Sequence, residues 1–141
     1  MWALTPRQSI ERECAHRGRA DVVAGCVRLI TGQDVDPALL LALGGPAAEK
    51  FHDGEEHADT YWLRVWGVRG LLWAGDGSQL DAVRTALDDE AWRVRELAAK
   101  VVARHLMGEA LDQVAALSRD PVARVRVAGA RAVQMLTQAH A

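Results

Sequence analysis

The strongest constraint on this chain is that it repeats itself every 31 residues. Displaced by that interval, Gly77, Leu80, Asp81, Val83, Asp89, Arg93, Val94, Arg95, Ala99 and Val102 fall on Gly108, Leu111, Asp112, Val114, Asp120, Arg124, Val125, Arg126, Ala130 and Val133. Ten identities in one register leave little room for coincidence, and a period of this length marks a unit that buries its apolar face only by stacking on a neighbour. A third, degraded copy lies upstream, where Leu63, Arg64, Gly67 and Arg69 stand under Val94, Arg95, Ala98 and Lys100.

Each unit reads as a helical hairpin. Gly77 or Gly108 breaks the chain, and a short helix follows with apolar positions Leu80, Val83 and Leu87, or Leu111, Val114 and Leu117. A turn containing Asp89 or Asp120 leads into a longer helix, with Asp120 as the expected N-cap and Pro121 as its first residue. Upstream, Thr5-Pro6-Arg7-Gln8 has the form of a capping box for a helix to about Arg17, and residues 19–31 and 37–43 provide two more helices. The expected architecture is all-α: a right-handed α-α superhelix of about four hairpins in a single domain, residues 1–141. Residues 46–58 have no counterpart in the register and stand as an insertion, expected to be a solvated loop.

Composition narrows the function classes. Seventeen basic and nineteen acidic side chains give a formal charge of -2, so bulk electrostatic binding of nucleic acid is not expected. Cys14 and Cys26 make neither a CxxC pair nor a disulfide framework, which fits a reducing cytoplasm. The longest apolar stretch, near residues 38–43, is far too short to span a bilayer, and no signal segment is expected.

The stretches DPVARVRVAGARAVQML (120–136) and DEAWRVRELAAKVVARHL (89–106) resemble the second helices of HEAT-like repeats of short period. The likeness is clearest over residues 58–138. It implies a solenoid whose second helices line a concave docking side, and a structural ladder made by Asp89, Arg95, Asp120 and Arg126. About function it implies little.

At ~100° per residue, Val94, Ala98, Val101 and Val102 form one core face, and Val125, Gly129, Ala132, Val133 and Leu136 form its counterpart. To one side lies a second stripe: Arg93, Lys100 and Arg104, continued by Arg124 and Arg131. In the preceding copy that register holds Trp62, Arg69 and Trp73, with Trp66 alongside. A tryptophan cluster running into a basic band is the expected binding face. Each member has a plainer reading: Trp66 and Trp92 as packing residues, the basic stripe as a solvated helix face, and Trp62 and Trp73 as structural if an N-terminal hairpin covers them.

These residues suit a protein-binding adaptor with another protein as partner; nucleic acid or a small anionic ligand is the alternative. The enzymatic alternative is a small subunit of an enzyme complex, or a binder similar to the HEAT-like alkylpurine DNA glycosylases, with Asp59, Trp62, Trp66, Arg69 and Trp73 on one face. Only residue types match there, because four residues after Trp62 this chain has Trp66 and not the family's acid. His52, Asp53, Glu55, Glu56 and His57 are metal-ligand types, yet the chain lacks the His-Glu dipeptides of HEAT-repeat di-iron hydroxylases. No metal or cofactor is therefore expected. His16, His105 and His140 are scattered, with His105 on the core side of its helix.

Overall fold

A computed structural model describes residues 4–139, and His140 lies outside them. Among the described residues there are eight α-helices and no strand: α1 Pro6–Arg17, α2 Arg19–Ile30, α3 Pro37–Gly44, α4 Tyr61–Ala74, α5 Leu80–Leu87, α6 Trp92–His105, α7 Leu111–Ala116 and α8 Ala123–Ala139. None is long and apolar enough to cross a membrane. Where length suggests one domain, the chain divides into two compact units, residues 1–74 and 75–141.

In the first unit, local chemistry opens the helices. Thr5 Oγ1 accepts from the Gln8 amide at 3.1 Å while the Thr5 amide donates to Gln8 Oε1 at 3.0 Å, which satisfies two end groups of α1 reciprocally. Asp36 caps α3 through the Leu39 amide at 2.9 Å, and Pro37 supplies a first residue that needs no acceptor. Arg17 then clamps that cap, with Nη1 and Nη2 on the two oxygens of Asp36 at 2.7 and 3.1 Å. The Ser9 hydroxyl donates to the Ala42 carbonyl at 2.7 Å and joins α1 to α3.

The main packing in this unit is α2 on α4, and two glycines permit it. A Cβ on Gly67 would lie 2.8 Å from the Cys26 carbonyl oxygen, and one on Gly70 would lie 2.2 Å from Cys26 Sγ. Ile10, Val22, Cys26, Leu43, Val68 and Leu71 are wholly buried around that crossing. Burial pushes the Cys26 thiol up to about 12.

The insertion differs from the solvated loop expected. Gly45–Asp53 forms 3-10 helix, and Ala48 and Phe51 are buried. Phe51 meets Trp66 edge-on at 5.6 Å, which anchors the segment on α4, and meets His57 of the same segment at 5.1 Å. Its acids and His52 remain exposed.

The second unit carries the repeat. Here α6 packs on α5 and more extensively on α8, which also packs on α7. Gly77 turns the chain at φ +89 into the approach to α5. Val94, Ala98, Val101 and Val102 are buried in α6, as are Val125, Gly129, Ala132 and Leu136 in α8, where Val133 is half-buried. A Cβ on Gly129 would lie 2.9 Å from the Val114 carbonyl oxygen of α7 and 2.7 Å from Leu117 Cβ just beyond it, so the glycine permits the close approach of α8 and α7.

Two details depart from expectation. The last helix begins at Ala123 and not at Pro121: Asp120 Oδ1 accepts from the Val122 amide at 2.9 Å, so the aspartate closes a turn just ahead of the helix. Leu111 is exposed although its register partner Leu80 is half-buried.

Candidate functional site

The residues expected on one surface fall in both units, and each set is described within its own. On α4 in the first unit, Trp66 is only 4% exposed and sits under Phe51, with its ring seated on Gly44, where a Cβ would lie 2.6 Å from it. It is a core residue and leaves the binding set. Arg69 is half-buried, and its Nη2 donates to the Leu43 carbonyl at 2.7 Å, so it ties α4 to α3. Burial holds its pKa below the usual arginine value.

Trp62 is half-buried, stacked on Tyr61 at 5.3 Å and on Trp66 at 6.5 Å. Trp73 is half-buried under Arg7 of α1, whose guanidinium carbon lies 4.7 Å from the ring centroid. The covering helix gives Trp73 its structural reading. Asp59, the acid of the glycosylase-like alternative, is held by Lys50 at 2.5 Å, which lowers its pKa. Of the residues in that alternative, Trp66 is buried in the core and Arg69 is bonded to the Leu43 carbonyl.

In the second unit, Lys100, Arg104, Arg124 and Arg131 are exposed and Arg93 is half-buried, on adjacent faces of α6 and α8. A feature missed in the sequence lies among them. Two guanidinium groups lie over the Trp92 ring, Arg93 at 4.4 Å and Arg124 at 5.4 Å from its centroid, and Arg124 Nε also donates to Glu96 at 2.9 Å. The signal was available: Arg93 and Arg124 are register equivalents, so one repeat step brings a second guanidinium to the neighbourhood of Trp92. Val127, 70% exposed, occupies the register position of Glu96, between Arg124 and Arg131 along the helix. An apolar side chain where the preceding copy carries a charge had the same meaning as the tryptophans did in α4.

The ladder residues are built differently from the stripe. Arg95 Nη1 donates to the Asp89 carbonyl at 2.8 Å, and its Nε and Nη2 take the two carboxylate oxygens of Asp120 at 2.7 and 3.2 Å. Arg126 Nη1 donates to the Asp120 carbonyl at 2.8 Å. The Asp120 carboxyl is 6% exposed and titrates below the usual carboxylate range, chiefly through Arg95.

The insertion places His57 Nε2 3.2 Å from Asp53 and leaves His52 exposed. No group of three or more His, Cys, Asp or Glu side chains comes together to hold a metal among the described residues. No family model, curated protein or solved structure matches this chain.

Proposed function

We propose that the chain is a HEAT-like helical-repeat protein, two hairpins to each unit, that serves as a cytoplasmic adaptor by docking an acidic face of another protein on the α6–α8 stripe. The repeat reading is supported by the like bonds of Arg95 and Arg126 to the aspartates that open their own helices. The single observation that carries the binding reading is Val127, exposed between Arg124 and Arg131 along the helix, where Arg124 is also one of two guanidinium groups over the Trp92 ring. An exposed apolar side chain rimmed by cations suits a docking patch: covering the valine removes apolar area from water, and the rim selects a negative partner and speeds encounter.

The test uses the intact chain and its Arg124→Glu/Arg131→Glu and Val127→Asp variants as bait in native lysate, with melting temperatures measured beside them. A partner retained by the wild type and lost by both variants at unchanged melting temperature is the expected result. Equal retention by all three baits sinks the reading. Salt-sensitive binding of a labelled single-stranded oligonucleotide, abolished by the double variant, would replace it with the nucleic-acid alternative.

A further inference from the structure

Arg95 and Arg126 share a register position and one hydrogen bond, but only Arg95 uses the rest of its guanidinium. Nε and Nη2 of Arg95 close on the carboxylate of Asp120, which belongs to the next hairpin. Nε and Nη2 of Arg126 have no acceptor among the described residues, although its Nη1 is held by the Asp120 carbonyl as Arg95 Nη1 is held by Asp89. The group is pre-oriented, and the half of it that faces a carboxylate in the preceding copy faces solvent here.

The helix around it repeats the contrast. In α6, Ala99 and Ala103 follow Arg95 at successive turns and are buried. Their register counterparts in α8, Ala130 and Gln134, follow Arg126 and are exposed, as is Ala123 one turn before. Small side chains let a second helix approach closely, and in α6 such a helix is present.

We infer that this outer face of α8 is a second docking surface. Its occupant is a helical hairpin of another polypeptide, with an aspartate in the turn that opens its second helix, seated so that this second helix packs on α8 as α8 packs on α6. The argument for that occupant is charge and geometry: a guanidinium fork fixed at one nitrogen takes a carboxylate through the other two, and an aspartate that also accepts its own amide two residues on, as Asp120 accepts from Val122, presents that carboxylate in fixed orientation. At ~100° per residue Arg126 lies across the helix from Arg124 and Arg131, with Val127 between the two sides, so Arg124→Glu/Arg131→Glu and Arg126→Ala distinguish this surface from the one proposed above, whereas Val127→Asp borders both.

The experiment appends a second copy of residues 108–139 after Ala141 of the full chain through a short Gly-Ser linker, as a stand-in for the partner's hairpin at high effective concentration. The fused chain should melt higher than the parent by about 4 °C or more, and the increment should vanish with Arg126→Ala in the parent or with Asp120→Asn in the appended copy alone. Each increment is taken against its own unfused background, so any direct effect of Arg126→Ala cancels. No increment, or the same increment with Arg126→Ala, overturns the inference. Sedimentation of the unfused chain adds a further outcome: a dimer lost on Arg126→Ala would assign the face to a second copy and overturn the separate-polypeptide occupant.

Discussion

Arg95 holds both carboxylate oxygens of Asp120, at 2.7 and 3.2 Å, with 15% of the arginine side chain and 6% of the aspartate exposed. At that depth the pair is screened little, and removing one partner strands the other. Asp120→Ala should cost ~2 to 4 kcal/mol, because it leaves two arginine N–H groups and the Val122 amide without their acceptor. Arg95→Ala should cost a similar amount, and the double variant clearly less than the sum. Arg126→Ala, which loses one exposed bond, should cost ~1 kcal/mol or less. Urea unfolding of the four variants checks this, and strict additivity at Arg95 and Asp120 would show that they do not act as a pair.

Acid should unfold the chain through its clamped carboxylates. The Arg17 fork and the Leu39 amide pull Asp36 down to about 2, and Arg95 pulls Asp120 below the usual range. Both are depressed relative to an unfolded aspartate near ~3.9, so their contribution is complete above about pH 5 and drains away as pH falls from there toward 2. Melting temperature should drop steeply over that window. Asp36→Asn with Asp120→Asn should flatten the drop; curves that stay parallel would remove these two carboxyls as its cause.

How much of this was legible in the sequence depended on whether the cause was local or periodic. The Thr5 capping box, the α3 cap and the buried faces of α6 and α8 were readable because each depends on residues within one helix turn or on the 31-residue step. Trp66 was not, because its burial needs the bare backbone of Gly44 on another helix and Phe51 in the insertion. Phe51 itself was hidden among exposed acids and glycine, where no helical period shows an apolar face. Trp73 was ambiguous for the same reason: its cover, Arg7, comes from the far end of the unit's sequence. Val127 is legible by comparison with Glu96, its register equivalent, but a single valine among alanines and arginines is a weak signal beside the tryptophans of α4.

The α2–α4 crossing sets up a size test. Alanine is ordinarily better than glycine inside a helix by ~1 kcal/mol, but a Cβ on Gly70 would lie 2.2 Å from Cys26 Sγ and 3.1 Å from Leu43 Cδ2. The clash should win, with Gly70→Ala costing ~1 to 3 kcal/mol net. Adding Cys26→Ala removes the sulfur and should recover part of that loss, so the double variant should be more stable than Gly70→Ala alone. If Cys26→Ala only adds to the damage, the sulfur is not what limits the approach.

Leu106 closes α6 at φ 51, a left-handed conformation that costs a non-glycine residue ~1 to 2 kcal/mol, and its side chain is 46% exposed. Glycine at a helix C-terminus relieves that strain. Leu106→Gly should therefore be neutral or stabilising by ~1 kcal/mol, the strain relief offsetting the loss of a partly buried side chain. A loss of ~2 kcal/mol or more on thermal or urea unfolding would mean that the leucine packs more tightly against Leu111 and Leu136, with which it lines one surface cavity, than its exposure indicates.

Trp73 decides whether α4 contributes a surface at all. A surface residue kept for a partner would be truncated at small cost, whereas a fully buried large aromatic costs ~3 to 5 kcal/mol. Half-buried beneath Arg7, Trp73 falls between these limits: Trp73→Ala should cost ~2 kcal/mol, most of it apolar area returned to water. Arg7→Ala should cost ~1 kcal/mol or less, since the arginine is itself largely exposed, a cation over a ring at such a site contributes ~0.5 to 1 kcal/mol, and its 2.9 Å pair with Glu11 is surface-exposed. The two losses should also couple, with the Arg7→Ala effect shrinking in the Trp73→Ala background. Trp73→Ala at unchanged stability, together with loss of a captured partner, would return this tryptophan to the binding face and move the docking surface from α6 and α8 to the first unit.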